Sequence, residues 1–417
     1  MSAINWRGVL FAGLTLAAIA TPVAAQERER LSLDDALRRA DVIAGPNHAA
    51  PNPRIAGPRA QADAARALVG QARLRPNPEV SFEAENIAGS GALSGLRATE
   101  YTFSIGQRLE LGNKRGTRVR AAQAGADLAD LRADLADVDL AFLVRERYLA
   151  ATAAAARVEL ARDVVTRNEE LARIAGLLVE VGREPPLRAL RAEAALAEAR
   201  AELEAADAAS VAARTALASL WGEQNSPPTV PASFPVIDPP ARLLAATDGL
   251  ALKVARAESR VAAAEIARER SLRVPDPVVS AGVRRFAESN DNAFLVGVSI
   301  PLPFSNRNQG NIAAAEAEFR AASAREAVAL ADFEQAVTRA RAQFLAAEMR
   351  VETLSATSLP QAEEALRLVR MGYRNGRFPL IEVLSAAEAR DAIREALIAA
   401  QEERGQAAAA LIRLAAQ

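Results

Sequence analysis

Residues Pro78–Leu109 read PEVSFEAENIAGSGALSGLRATEYTFSIGQRL, and the fold turns on them. In the part from Pro78 to Ile87, Val80, Phe82 and Ala84 fall on one side and Ser81, Glu83 and Glu85 on the other. From Thr99 to Leu109, Tyr101, Phe103 and Ile105 alternate with Thr102, Ser104 and Gly106. A period of two marks strands with one apolar and one polar face, and the Gly/Ser-rich run Ala88 to Gly95 joins them as a hairpin. A second pair, Val278 to Phe286 and Phe294 to Leu302, repeats the pattern around a turn at Glu288 to Asn292. Strands of about 9–11 residues with alternating polarity suit a barrel in a membrane, although small soluble hairpins share the pattern.

Outward from these hairpins the chain is helical. Ala, Leu, Arg and Glu dominate, and aromatic residues make up only 4%, as in long helices and coiled coils. Proline is absent from Glu79 to Glu184 and from Phe304 to Leu359, and an interior proline would break a helix. One long helix is predicted over 117–181, where Leu128, Leu131, Leu135, Val138, Phe142 and Leu149 keep coiled-coil spacing. Such a helix is about 100 Å long. A second is predicted over 311–373, bent where the Pro360 ring crowds Ala356.

Two landmarks recur. Pro76-Asn77-Pro78-Glu79-Val80 returns as Pro275-Asp276-Pro277-Val278-Val279, and Val181-Gly182-Arg183-Glu184-Pro185 returns as Asn375-Gly376-Arg377-Phe378-Pro379. Their offsets, about 199 and about 194 residues, nearly agree. The reading is a duplicated helix–hairpin–helix–helix unit: repeats 26–226 and 241–417, joined by the proline-rich linker 227–240.

The chain's beginning reads as a secretory signal peptide over 1–25. Arg7 is its only charge, an apolar run from Val9 to Ala20 follows, and Val23-Ala24-Ala25 supplies small residues for cleavage. The chain carries 51 basic against 52 acidic side chains, without the basic excess of a nucleic-acid binder. It has no cysteine, which rules out disulfides, thiolate metal sites and cysteine nucleophiles. Its only histidine, His48, reads as a solvated loop residue. No catalytic triad, phosphate loop or zinc motif is present, so neither an enzyme nor a cofactor is expected. Ser32 followed by Asp34 and Asp35 reads as a helix start. Arg/Glu neighbours such as Arg167 and Glu170 read as solvated pairs.

Four strands cannot close a barrel, and open edges cannot face lipid. Two chains would supply eight strands and three would supply twelve. Both hairpins return to one side, so the helices must continue the barrel as a tube there. With this architecture, Asn77-Pro78-Glu79-Val80, the run from Gln107 to Arg115 (QRLELGNKR) and the run from Pro301 to Gly310 (PLPFSNRNQG) resemble the TolC-like outer-membrane efflux family, in its CzcC-type heavy-metal branch. Leu359 to Ala365 (LPQAEEA), followed by Tyr373 and Gly376, is similar to that family's second long helix and turn. The resemblance implies a homotrimer in outer-membrane lipid, with a twelve-stranded barrel and a periplasmic helical tunnel. It also implies a periplasmic adaptor and an inner-membrane RND-type pump as partners, and heavy-metal cations as cargo. Asn52-Pro53-Arg54-Ile55 fits a family landmark, whereas Ala44 to Pro51 departs from it as an added loop, and 44–58 receives no assignment.

The resemblance also supplies candidate sites. Glu382 matches an acidic constriction position, and Ser385 occupies the second, where the family has another acid. Gly182, Arg183 and Pro185, with Gly376, Arg377 and Pro379, form two tip turns expected to meet the adaptor. Glycine suits the left-handed position that ends a helix, and proline then stops its continuation. A periplasmic adaptor and a pore-free coiled coil are the competing readings. An adaptor would show one helical hairpin between Gly-rich β domains, and a pore-free coiled coil would not need alternating strands.

Overall fold

The structure is a computed structural model that describes residues 30–42, 52–239 and 249–416. The signal-peptide segment, His48 and the added loop from Ala44 to Pro51 lie outside the described residues, as does Pro240. The elements run α1 (Leu33–Arg39), α2 (Pro53–Ala72), β1 (Glu79–Glu85), β2 (Glu100–Arg108), α3 (Lys114–Glu180), α4 (Pro186–Ala218), α5 (Leu250–Ser271), β3 (Val278–Phe286), β4 (Asn292–Ser299), α6 (Gln309–Thr353), α7 (Leu359–Arg374) and α8 (Leu380–Ala415). The protein is mainly helical with one small sheet.

The four strands form a single antiparallel sheet in the order β1-β2-β3-β4. Its register places Phe82 beside Phe103, Phe103 beside Val283, and Val283 beside Phe294. That row lies on a face that also carries Val80, Ile105, Val296 and Val298, and Phe294 is 88% exposed on it. The opposite face is small and polar. There the Ser81 and Ser104 hydroxyls meet at 2.7 Å, and Arg284 donates to Thr102 and Glu100 at 2.9 Å each. β1 and β4 leave their outer edges unpaired within the chain. β4 stops at Ser299, short of the expected Leu302, since Pro301 has no N–H to continue the ladder.

Long helices leave the sheet on one side. Asn113 and Asn308 introduce α3 and α6 in the left-handed conformation, with φ of 58° and 61°, a backbone region that asparagine tolerates. α3 runs unbroken for 67 residues. The helix expected over 311–373 is instead interrupted by a π segment, Leu354–Ser358, immediately before Pro360. Pro360 cannot donate to Ala356. The helix widens there, and the Leu359 N–H reaches back to the Leu354 carbonyl.

The main core joins α1, α2, α3 and α4. Leu37, Ile55, Leu140, Val144, Tyr148 and Leu217 pack together there, and the Tyr148 hydroxyl donates to the Leu31 carbonyl at 2.9 Å. Ser32 caps α1, accepting from the Asp35 N–H, and Asn52 caps α2, accepting from the Arg54 N–H at 3.0 Å. Residues 53–58, left unassigned by the sequence, are therefore helical. The described part of the proline-rich stretch is pinned against the helices: Val230 and Ile237 are buried, and Arg404 pairs with Asp238 at 2.7 Å.

Candidate functional site at the helical tips

Each helical hairpin ends far from the sheet in a glycine turn. At the α3–α4 turn, the Gly182 N–H donates to Val179 at 3.0 Å and the Arg183 N–H to Leu178 at 2.9 Å. At the α7–α8 turn, the Gly376 N–H donates to Tyr373 at 2.9 Å and the Arg377 N–H to Gly372 at 2.8 Å. This is the Schellman closure in both, with Gly182 at φ 71° and Gly376 at φ 70°. Pro185 and Pro379 then sit extended at the start of α4 and α8. The proline matters because its fixed φ preorganises the next helix while ending the last. The Arg183 and Arg377 side chains are exposed and make no ion pair with another described residue.

Glu382 and Ser385 are both exposed on the first turns of α8. Pro379 offers no capping side chain, and Glu382 is the acidic residue of the first turn of α8, where a carboxylate also favours the helix dipole. One residue further, Val383 is buried with Leu380, Ala387, Leu171 and Leu366, which fixes how α8 is rotated against α3 and α7. Between α3, α4 and α8 lies a groove of about 340 Å³, with Leu380, Ile381 and Leu384 on its apolar side and Arg188 and Arg191 at its rim.

Sequence reasoning missed a cluster just above this groove. Arg167 pairs with Asp391 of α8 at 2.5 Å, and not with the expected Glu170. Glu170 pairs instead with Arg173 at 2.8 Å. Arg390 also reaches Asp391 at 2.5 Å. Burial, followed by repulsion from Arg390, Arg167 and Arg374, pushes the Arg370 guanidinium below its ordinary range. Arg167, Arg370 and Asp391 come from three different helices, so no local spacing brings them together. A signal was present elsewhere: Glu364 and Arg367, paired at 2.6 Å on α7, precede Gly376 by the same interval as Glu170 and Arg173 precede Gly182.

No group of three metal-ligating side chains stands together among the described residues. No described helix is long and apolar enough to cross a membrane.

The outer membrane efflux protein family matches residues 47–223 and 244–417. The cobalt-zinc-cadmium resistance protein CzcC of Cupriavidus metallidurans is 32% identical over 335 residues, covering 78% of this chain and 77% of that one. The nickel-cobalt-cadmium resistance protein NccC of Alcaligenes xylosoxydans xylosoxydans is 34% identical over 266 residues, covering 63% of this chain and 60% of its own. The crystal structure of the outer membrane protein VceC from Vibrio cholerae superposes with a TM-score of 0.76 at 19% identity, over 92% of this chain and 96% of that chain. That likeness establishes the fold. The protein is thus an outer-membrane conduit and not an enzyme, and the chain belongs to the outer membrane efflux protein family.

Proposed function

We propose that three copies of this chain close a twelve-stranded barrel and a helical tunnel, through which heavy-metal cations leave the periplasm. The observation that carries this reading is the sheet itself: one face apolar and exposed, both edges unpaired. In a bilayer, unsatisfied edge N–H and C=O groups cost several kcal/mol each, so the edges must be completed by other copies. The two hairpins with their matching helix pairs support an internal duplication, which gives a trimer six similar tips. The resistance proteins named above supply the cargo class, and the exposed Glu382 supplies an acidic ring that would favour cations. Ser385 leaves that ring single. The tip turns at Gly182, Arg183 and Pro185 and at Gly376, Arg377 and Pro379 are the proposed seat of a periplasmic adaptor, itself coupled to an inner-membrane RND-type pump.

The test is purification from outer membranes with native mass measurement and single-channel recording. A trimer that conducts cations less selectively after Glu382→Gln is the expected result. A folded, lipid-inserted monomer would overturn the reading. For docking, Arg183→Ala with Arg377→Ala is expected to weaken adaptor capture while trimer yield stays unchanged.

A further inference from the structure

Strand alternation assigns every side chain of the sheet to one of two faces, and the charges on the polar face are unevenly placed. On that face Glu83 stands beside Thr102, Thr102 beside Arg284, and Arg284 beside Ala293. The next level towards the hairpin turns presents Glu85, Glu100 and Phe286. The next level towards the helices presents Ser81, Ser104, Gly282 and Leu295, all uncharged. The face's other arginine, Arg108, lies at the helix end of β2, about 20 Å from Thr102 at about 3.4 Å per residue. Glu83, Glu85, Glu100 and Arg284 therefore share the end of the sheet remote from the helices.

The guanidinium of Arg284 is engaged on three sides. Its Nε donates to the Thr102 hydroxyl and its Nη1 to Glu100, both at 2.9 Å. Its Nη2 lies 2.9 Å from the buried Oε2 of Glu85, an ion pair without hydrogen-bond alignment. One side chain of β3 thus answers carboxylates on both β1 and β2. Glu83 is different: it is exposed and makes no ion pair with another described residue. It sits two strands from Arg284, about 10 Å across the sheet, while the guanidinium turns towards the outer level. Closing the barrel does not supply a countercharge either. The polar-face positions of β4 are Ala293, Leu295, Gly297 and Ser299, so an edge completed by another copy's β4 brings no cation beside Glu83.

Carboxylates gathered round a divalent cation retain it, whereas a conduit must let it leave. We infer that Arg284 sets the ion selectivity of the barrel's outer end by filling the place among Glu85, Glu100 and Thr102 that a divalent cation would otherwise take. With those two carboxylates answered, each copy offers a passing cation the Glu83 carboxylate alone, which attracts cations without gripping them. Arginine suits the task because its charge is permanent and its planar fork reaches several acceptors at once. The inference rests on the proposed barrel with its polar face inward. It goes beyond that reading by assigning the residue that keeps the exit from trapping its cargo.

The test is single-channel recording of the full chain in planar bilayers, in a Glu382→Gln background so that the tunnel end does not contribute. Selectivity is read from the reversal potential in a KCl gradient, and trapping from the block of K⁺ current by added Ca²⁺. Arg284→Gln is expected to shift the reversal potential towards stronger cation preference and to deepen the Ca²⁺ block. Adding Glu85→Gln with Glu100→Gln is expected to abolish that deeper block. A second arm leaves Arg284 in place: Glu83→Gln, at an unpaired exposed side chain, is expected to lower cation preference, and it decides the matter if Arg284→Gln does not assemble. A conducting trimer whose selectivity and Ca²⁺ block are unmoved by Arg284→Gln, or whose selectivity is unmoved by Glu83→Gln, overturns the assignment and leaves the conduit standing. A parent chain that forms no conducting trimer overturns both.

Discussion

At Gly182 the chain reverses beside a charge pair, Glu184 with Arg188 at 3.0 Å. At Gly376 it reverses under an aromatic ring, with Phe378 seated on the buried Gly372 so closely that a side chain there would overlap it. The hydrogen bonds closing both turns are the same, so the difference lies in what holds each tip. It also extends up the helices. α3 reaches its turn without interruption, whereas α7 follows a π segment in which no residue is buried. Similar turn chemistry thus sits on a continuous support in one hairpin and on an interrupted one in the other. The second hairpin has to secure its tip locally, through Phe378 and the cluster of Leu366, Leu380 and Val383.

The sharpest way to break this comparison is Gly372→Val. Inserting a branched side chain under Phe378 overpacks the turn and is expected to cost about 1–3 kcal/mol. The readout is faster proteolysis at the α7–α8 turn and a lower unfolding temperature, with the α3–α4 turn cut no faster than before. Equal loosening of both turns would mean that the aromatic contact does not distinguish them.

Gly182→Ala and Gly376→Ala test the shared part. Both positions have positive φ and open space around a new methyl group, so the penalty is conformational, about 1 kcal/mol at each. Matching shifts in thermal unfolding would show the closures to be equivalent. A clearly larger shift at Gly376 would mean that its turn is already strained.

Pro360→Ala addresses the interruption. Restoring the N–H lets residue 360 donate to Ala356, and the π segment is expected to relax towards regular helix, with a stability change within about 1 kcal/mol. Slower amide exchange across 354–360 is the expected observation, with α3 unaffected. Unchanged exchange would assign the π segment to tertiary packing and not to proline.

Much of this was legible in the sequence because the signals are local. The alternation in Val80, Phe82, Tyr101 and Phe103 shows which sheet face is apolar, and the glycine–proline turns at Gly182 and Gly376 mark where helices must end. Proline marked the end of β4 as well, although Leu302 was read as its last residue. What stayed hidden depends on residues distant in the chain. Arg167 looked like a partner of Glu170 by spacing, yet helix packing delivers Asp391 to it. The packing of Val230 and Ile237 against the helices was equally invisible, since a proline-rich run reads as a linker whether or not something holds it. Pro360 announced a bend, but whether a helix kinks or widens depends on the neighbours it must keep. For Glu382, periodicity alone could not separate a tunnel-facing acid from a residue that merely favours a helix start.

The smallest effect concerns the two exposed pairs that precede the turns at equal intervals, Glu170 with Arg173 and Glu364 with Arg367. In each, the hydrogen bonds from the arginine hold the glutamate below its usual range, with a further contribution from the arginine's charge. A carboxylate whose folded value is lowered contributes stability above its unfolded value and loses it as the pH falls through the folded one. The window is therefore acidic, below about pH 4. Both pairs are open to solvent, so salt and water screen them. Glu170→Gln and Glu364→Gln should thus leave unfolding at neutral pH nearly unchanged and flatten its acid dependence slightly, by similar amounts. The comparison between the two hairpins makes this informative. If the hairpins differ only in what holds their turns, the two substitutions must behave alike, because the pairs share spacing, exposure and cause. An acid dependence that responds to Glu364→Gln and not to Glu170→Gln would place Glu364 or Arg367 in a further contact.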